Sequence, residues 1–196
     1  ADPSGSPRSM ALRLLAEYFP QRPEALALLV DRATADPDGF SRSTALRLLA
    51  VHFPQEPETL ALLVGRVVAD PDESLRYMAL HLLAEHFPHR SEALAGITDR
   101  AGNDPEPELR LQAFQAWAAM LPPDDVYEAG RRALEDAHLV VRAGGSWVLA
   151  FGCPRDLRAR AMLHEHAQND LEPEVRSAAS DALIAAEMLA SAEVET

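Results

Sequence analysis

The sequence predicts an all-α protein in which helical hairpins stack into a solenoid, and three observations lead to this prediction. An Asp and an Arg six residues apart recur six times, at intervals of 34, 34, 34, 32 and 34 residues. Apolar residues follow helical spacing between these pairs, and a Pro recurs after every second apolar segment. A fixed period of this length indicates one supersecondary unit that stacks on its neighbours. The six pairs are Asp2/Arg8, Asp36/Arg42, Asp70/Arg76, Asp104/Arg110, Asp136/Arg142 and Asp170/Arg176.

The first helix of the second, third and fourth units begins at a Pro–Glu or Ser–Glu pair, as at residues 23–24. Pro is favoured in the first helical turn, where its missing N–H costs nothing, and the helix dipole favours the Glu. Apolar residues such as Leu26, Leu29 and Ala33 then follow at helical spacing. The residue before a proline is disfavoured in a helix, so the chain is expected to turn at Ala-Asp-Pro, residues 35–37.

The second helix follows a pattern that is complete in the first three units: Arg, then Ala three residues later, then a Leu pair, then Phe-Pro. In the second unit these are Arg42, Ala45, Leu48, Leu49 and Phe53, followed by a Pro that ends the helix. The small Ala indicates where two helices approach closely. The Ala positions are Ala11, Ala45, Ala79, Ala113 and Ala179, and the Pro positions are Pro20, Pro54, Pro88, Pro122 and Pro154.

The recurring Asp and Arg are interpreted as a structural ladder. The Asp is expected to cap the second helix, and the Arg to reach that Asp or the Asp of the next unit with bidentate geometry. A catalytic role is not expected, because a catalytic residue is needed once and these recur in every unit. The complete pairs that form the ladder are Asp36, Arg42, Asp70, Arg76, Asp104, Arg110, Asp136, Arg142, Asp170 and Arg176.

The Asp-Pro turn, the Arg, the Ala and the Leu pair resemble HEAT repeats over essentially the whole chain. Residues 45–50, 57–71 and 164–183 resemble the HEAT arrays attached to bacterial NACHT-type (STAND) signalling ATPases, in which the repeats are the sensor or scaffold half. The resemblance implies a right-handed α-α superhelix of about five and a half hairpins of 32–34 residues, with second helices lining a concave side. Since the sequence has no Lys, it has no Gly-x-x-x-x-Gly-Lys-Ser/Thr loop, and any ATPase would lie outside it.

One array is expected to span residues 1–196. Its first unit has no first helix, so Leu12, Leu14, Leu15 and Phe19 need a cover. We therefore expect a fragment of a longer chain, or self-association through the N-terminal helix. The units divide near residues 1–20, 21–54, 55–88, 89–122, 123–154 and 155–190, with a tail at 191–196.

The fifth unit departs from the pattern, because its loop at Pro122-Pro123 is two residues shorter and its second helix contains Gly144 and Gly145. Either these glycines allow close packing around Trp147, or they allow a bend or a backbone contact with a partner. Another recurring position holds a basic residue four before the Asp, interpreted as a solvated stripe or as inter-repeat pairs. These residues are Arg32, Arg66, Arg100, Arg132 and His166.

A protein or peptide, or another domain of the same longer chain, is the expected partner, held by second-helix side chains that face away from the first helices. Exposed aromatic residues at such positions are typical of interaction hot spots. The alternative is that Trp147 and Phe151 belong to the core. The predicted partner-binding residues are Arg13, Arg47, Tyr77, His81, Leu111, Gln115, Trp147 and Phe151.

Composition and spacing argue against several other functions. The net charge of −13 disfavours nucleic acid as a partner. No apolar stretch is long enough to span a membrane, and the single Cys153 allows no internal disulfide, so a cytoplasmic location is expected. The pairs His81/His86 and His164/His166 lack metal-site spacing, and neither a metal, a cofactor nor an enzymatic activity is expected. Alternatives are a HEAT-like enzyme, related to bilin lyases or DNA glycosylases, and a purely structural spacer.

Overall fold

A computed structural model describes residues 7–122 and 125–192, and within these ranges the chain forms eleven α-helices and no strand. The prediction of an all-α protein is therefore confirmed. None of these helices is long and apolar enough to cross a membrane. The helices are α1 (Pro7–Tyr18), α2 (Pro23–Ala35), α3 (Gly39–His52), α4 (Pro57–Ala69), α5 (Glu73–His86), α6 (Ser91–Asn103), α7 (Pro107–Met120), α8 (Val126–Leu134), α9 (Leu139–Gly152), α10 (Leu157–Asn169) and α11 (Pro173–Ala192).

The chain divides within α6 into two compact units, Ala1–Gly96 and Ile97–Thr196. In the first unit, α2 packs on α3 and α4 packs on α5, while α1, α3 and α5 pack side by side. In the second unit, α8 packs on α9 and α10 packs on α11, while α7, α9 and α11 pack side by side. Such contacts between neighbouring helices are those of an α-solenoid. The single array, its handedness and its number of repeats stay predictions.

The ends of the helices follow from local sequence. Helices α2 and α4 have Pro in the first turn and Glu beside it, and both end at an Asp followed by Pro. Helix α3 ends at His52, with Phe53 as its C-cap and Pro54 next, so it cannot continue. Asp2 and Pro123 and most of the predicted tail, 193–196, lie outside the described residues.

The expectation that the ladder Asp caps the second helix is wrong, because the cap lies two residues further along. Asp38 is the N-cap of α3 and Asp72 is the N-cap of α5, each accepting a hydrogen bond from a backbone N–H of its helix. The ladder Asp instead closes the turn by accepting the N–H of the residue two positions later, at 2.8 to 3.0 Å. This bond recurs at Asp36, Asp70, Asp104, Asp136 and Asp170.

The ladder Arg binds the backbone of the turn that precedes its own helix. In each of five turns its Nη1 donates to the carbonyl oxygen of the Asp six residues earlier, at 2.7 to 3.1 Å. Within the second unit the rest of the guanidinium forms bidentate bonds to the Asp of the following turn. Arg110 reaches Asp136 at 2.8 Å, and Arg142 reaches Asp170 at 2.9 and 3.0 Å. One side chain therefore fixes one turn and ties it to the next.

The basic residues four before each ladder Asp mostly pair with that Asp, and Arg66 also makes the inter-repeat contact that was one of the two expectations. Arg66 donates to Asp70 at 2.8 Å and to carbonyls of α2, and His166 lies 3.3 Å from Asp170. Arg132 differs, because it pairs with Glu128 and lies over the Trp117 ring. These residues mainly complete the anchoring of the turn that follows them.

Close helix packing explains both glycines of the fifth unit, but their contacts are not with Trp147. A Cβ on Gly145 would lie 2.8 Å from the Cβ of Ala133 and 2.9 Å from the backbone nitrogen of Leu134 in α8. Gly145 occupies the position of the recurring Ala. At this position α3, α5, α7 and α11 each bury an Ala, whereas the Ala of α1 is exposed. A Cβ on Gly144 would overlap the side chain of Leu111 on α7. The two glycines thus let α9 approach α7 and α8.

Replacing the helix cap Asp72 by Ala is expected to lower the free energy of unfolding by about 1 kcal/mol. The substitution removes the acceptor for the N–H of Ser74, which lies 2.9 Å from the Asp72 carboxylate. Urea denaturation followed by circular dichroism measures the change. Asp72→Asn keeps an acceptor and is the matched control. A loss for Asn as large as that for Ala would show that the pairing with Arg42, not the cap, stabilises this end of α5.

Candidate binding grooves

The side chains predicted to meet a partner are mostly accessible, and they fall into separate groups. Arg13, Arg47 and His81 are exposed on the first unit, on α1, α3 and α5. Gln115 is exposed and Trp147 is half-buried on the second unit, on α7 and α9. Arg47 and His81 border a groove in the first unit, and Gln115 and Trp147 border a groove in the second unit. Arg13 lines neither groove.

An apolar groove between α7 and α9, also lined by Val126 at the start of α8, has a volume of about 360 Å³. We call it the aromatic groove. Its most exposed large side chain is Phe151, with 64% of its surface accessible. The Phe151 ring stacks on that of Trp147, with centroids 5.5 Å apart and an interplanar angle of 18°. The lining residues, all uncharged, are Gln115, Ala118, Ala119, Val126, Trp147, Val148, Phe151 and Gly152.

The local sequence explains why this groove is open. Trp147 and Phe151 are four residues apart, so both project from the same face of α9. Ala118 and Ala119 on α7 leave room opposite them. A Cβ on Gly152 would overlap the side chain of Val126, so the glycine lets the start of α8 come close to α9. Small residues on two helices thus form the groove that the aromatic pair borders.

The alternative that Trp147 and Phe151 belong to the core applies in part to Trp147 and does not apply to Phe151. Trp147 packs partly against the core formed by residues such as Leu149 and Leu163. Phe151 does not share this environment and is exposed. Trp147 therefore connects the core to the groove, and a change at Phe151 is the cleaner probe of the groove.

Leu111 does not line either groove, contrary to expectation. It is half-buried, and its methyl groups fill the space that a side chain at position 144 would occupy. Its role is to pack α7 against α9. The sequence pattern could not show this, because the contact depends on a glycine 33 positions further along the chain.

A second groove lies between α3 and α5 in the first unit and has a volume of about 590 Å³. We call it the basic groove. Tyr77 has 45% of its surface exposed. The centroids of its ring and the His81 ring are 4.5 Å apart, and the interplanar angle is 60°. Arg47 borders the groove from α3. The lining residues are Arg47, Glu73, Ser74, Tyr77, Met78, His81 and Leu82, of which Glu73, Ser74, Met78 and Leu82 were not predicted.

A wider cleft in the second unit, about 710 Å³, contains three arginines but no free charge among them. Arg110 is held by Asp136, Arg132 by Glu128, and Arg131 by Glu128 and Glu135. The hydrogen bonds from Arg131, with a smaller contribution from Arg132, lower the pKa of Glu128 to about 2. These guanidiniums stabilise the fold and offer no ready site for an anion.

Cys153 lies at the end of α9 and is buried. Burial raises the pKa of its thiol to about 11, with a smaller effect of Asp156. Its Sγ donates a weak hydrogen bond to the carbonyl of Leu149 at 3.4 Å. Such a thiol is protonated at neutral pH and is a poor nucleophile. Across residues 7–122 and 125–192, no cluster of three His, Cys, Asp or Glu side chains has the arrangement of a metal site.

No protein-family model matches the chain, and no curated protein matches it. The function is therefore inferred from the two grooves.

Proposed function

We propose that this chain is a protein-binding module built as a right-handed HEAT-like array of about five and a half hairpins. In this proposal it works as a scaffold or sensor without enzymatic activity. It acts in the cytoplasm, a reducing compartment in which a free cysteine such as Cys153 remains a thiol. The repeat region of a NACHT-type signalling ATPase is the setting that the sequence motifs favour. The observation that carries the proposal is the exposed Phe151 ring, stacked on the half-buried Trp147 beside an open groove.

Burial of apolar surface provides the driving force. Phe151 leaves most of its ring in water, and covering an aromatic side chain of this size contributes about 2 kcal/mol. The groove volume of about 360 Å³ lies near the lower end of the range for ligand pockets, and it suits an apolar side chain of a protein segment. Aromatic residues with this exposure are typical of binding hot spots.

The same groove contains one polar group suited to a peptide backbone. Gln115 is exposed, and its side-chain amide offers both donors and an acceptor. A peptide bond presents the complementary pair, one N–H and one carbonyl. The expected ligand is therefore a segment with an aromatic or aliphatic side chain in the groove and its backbone near Gln115. With only uncharged side chains around it, the groove holds the partner by shape and apolar contact.

A random-peptide display selection against the chain tests this proposal. We expect enriched peptides to share an aromatic or large aliphatic residue. Phe151→Glu is expected to weaken their binding by about tenfold or more, because it places a charge in an apolar contact. Fluorescence anisotropy of the labelled peptides measures the change.

Leu171→Glu is the matched control, because Leu171 is 90% exposed, lies in the same unit and lines no part of the aromatic groove. Peptides that bind the two variants equally well would place the binding elsewhere. A selection that enriches nothing would favour a structural spacer. Turnover of a small ligand bound at the groove would favour the enzyme alternative.

A further inference from the structure

We propose that the basic groove of the first unit binds an acidic segment of a protein partner, with a carboxylate at Arg47 and an apolar side chain at Tyr77. This inference rests on the proposed function and names the chemistry of a partner at a different surface. Its basis is Arg47, an arginine that lines a groove and has no carboxylate partner among the described residues.

Arg47 is exposed and takes part in no hydrogen bond or ion pair of its side chain with any described residue. Most of the other arginines have carboxylate partners. In the same unit, Arg66 lies 2.8 Å from Asp70, and Arg42 lies 3.8 Å from Asp72. The chain carries a net charge of −13, so acidic side chains are plentiful and an unpaired arginine in a groove stands out. Its five N–H donors remain open to a ligand.

One further arginine extends the positive character to a neighbouring helix, and a histidine occupies the same position on the next. Arg13 on α1 and His81 on α5 occupy the same repeat position as Arg47 on α3, and all three are exposed. Helix α3 packs against both α1 and α5, so these groups lie on successive helices of one unit. Arg13, like Arg47, has no side-chain partner among the described residues. Two arginines without carboxylate partners thus lie on packed helices, and an acidic segment is attracted to such positive groups.

The groove also contains a negative group, and it fixes where the ligand's carboxylate can lie. Glu73 is the first residue of α5, whereas His81 is more than two turns further along the same helix. A ligand carboxylate is therefore repelled at the start of α5 and attracted beside Arg47. Glu17 and Glu85 are exposed one turn beyond Arg13 and His81, and they limit the favourable region at its other end.

An apolar surface lies beside the positive one. Tyr77 is tilted against His81 and leaves 45% of its surface exposed, and Met78 and Leu82 line the groove below it. An acidic residue next to an aromatic or aliphatic residue matches this arrangement. An Arg–carboxylate pair at the edge of a groove is also stronger than one in open water, since neighbouring apolar groups reduce screening.

Fluorescence anisotropy with a fluorescein-labelled Gly-Ser-Glu-Leu-Glu-Phe-Glu-Ser-Gly peptide tests the inference. The matched peptide carries Gln in place of every Glu. We expect the Glu peptide to bind and the Gln peptide to bind about tenfold more weakly. Arg47→Gln is expected to lower the affinity for the Glu peptide by about tenfold. Added salt is expected to lower the affinity for the Glu peptide further. Glu73→Gln is expected to tighten binding, because it removes the repulsive carboxylate.

Arg22→Gln is the control for net charge. Arg22 is exposed in the same unit, has no side-chain partner among the described residues and lies outside the groove. We expect it to change the affinity by less than about twofold. Equal binding of the Glu and Gln peptides, equal effects of Arg47→Gln and Arg22→Gln, or no binding of the Glu peptide would each overturn the inference.

The two proposals can fail separately. If displayed peptides depend on Phe151 while the Glu peptide does not bind, the acidic-partner inference fails and the proposed function stands. If binding of the Glu peptide depends on Arg47 while binding of no displayed peptide depends on Phe151, the aromatic groove is not a binding site. The basic groove then remains the binding site for an acidic segment. A phosphopeptide that binds at Arg47 far better than the Glu peptide would overturn the carboxylate assignment.

Discussion

Replacing Asp170 by Ala is expected to lower the free energy of unfolding of the second unit by about 3 kcal/mol, near the value for a broken buried ion pair. The Asp170 side chain is only 5% exposed and accepts two hydrogen bonds from Arg142 and one from the N–H of Glu172. Without it, the guanidinium of Arg142, itself 15% exposed, loses its carboxylate partner. Urea denaturation followed by tryptophan fluorescence measures the loss, since both tryptophans lie in this unit.

The same substitution is expected to remove a defined pH dependence. Hydrogen bonds from Arg142 are the main cause that holds the pKa of Asp170 well below its ordinary value, with contributions from the N–H of Glu172 and from His166. Because the folded-state pKa lies below the unfolded value of about 3.9, the stabilisation is complete above that value. It is lost as the pH falls through the folded-state pKa. The stability difference between wild type and variant should therefore be largest near neutral pH and shrink in acid.

Asp181→Ala is the control, because Asp181 is exposed on the same helix as Arg176 and has no ion pair among the described residues. It should leave both the stability and its pH dependence almost unchanged. If the Asp170 and Asp181 variants gave parallel pH profiles, the ladder would not stabilise the turns in the way described above.

Gly145→Ala is expected to destabilise the protein by about 1–3 kcal/mol, as overpacking of a close interface does. An alanine is the better helix former by about 1 kcal/mol, so propensity alone predicts the opposite sign. The new Cβ would lie 2.9 Å from the backbone nitrogen of Leu134 and 3.0 Å from the carbonyl carbon of Ala133. Backbone atoms cannot rotate away as a side chain can, so α8 and α9 must separate.

Gly65→Ala provides the contrast, because a Cβ at Gly65 would meet no atom within 4 Å. There the helix propensity acts alone, and we expect a gain of about 0.5–1 kcal/mol. Thermal and urea denaturation of the two variants compare them directly. A gain for both would show that α8 and α9 are not in the close contact that the glycines indicate.

The sequence predicted the positions of the helices well because their ends depend on local chemistry. The Asp-Pro turn at residues 36–37 and Pro54 after α3 prevent a helix from continuing. It did not predict which acidic residue caps the second helix. Asp36 and Asp38 are both in the turn, and either could accept an N–H. The choice depends on the turn geometry, which directs Asp36 to the N–H of Asp38 and leaves Asp38 to cap α3.

The sequence predicted part of the grooves, for a similar reason. A spacing of four residues showed that Trp147 and Phe151 lie on one face of α9. The same spacing showed that Tyr77 and His81 lie on one face of α5. It misplaced Leu111, whose environment is set by Gly144 on a different helix. It also missed Val126 and Glu73, which enter the grooves from helix ends. Contacts between helices depend on packing distances, which the small residues set and a periodic pattern does not contain.

Nuclear magnetic resonance of the two tryptophan indole N–H groups tests the central claim most directly. Trp147 lines the aromatic groove, whereas Trp117 is buried, stacks near Phe114 and lies beneath Arg132. Trp117→Phe assigns the two signals. Titration with a peptide selected by display should shift the Trp147 signal and leave that of Trp117 in place. A bound peptide that shifts neither signal, or shifts only that of Trp117, would contradict recognition at the aromatic groove.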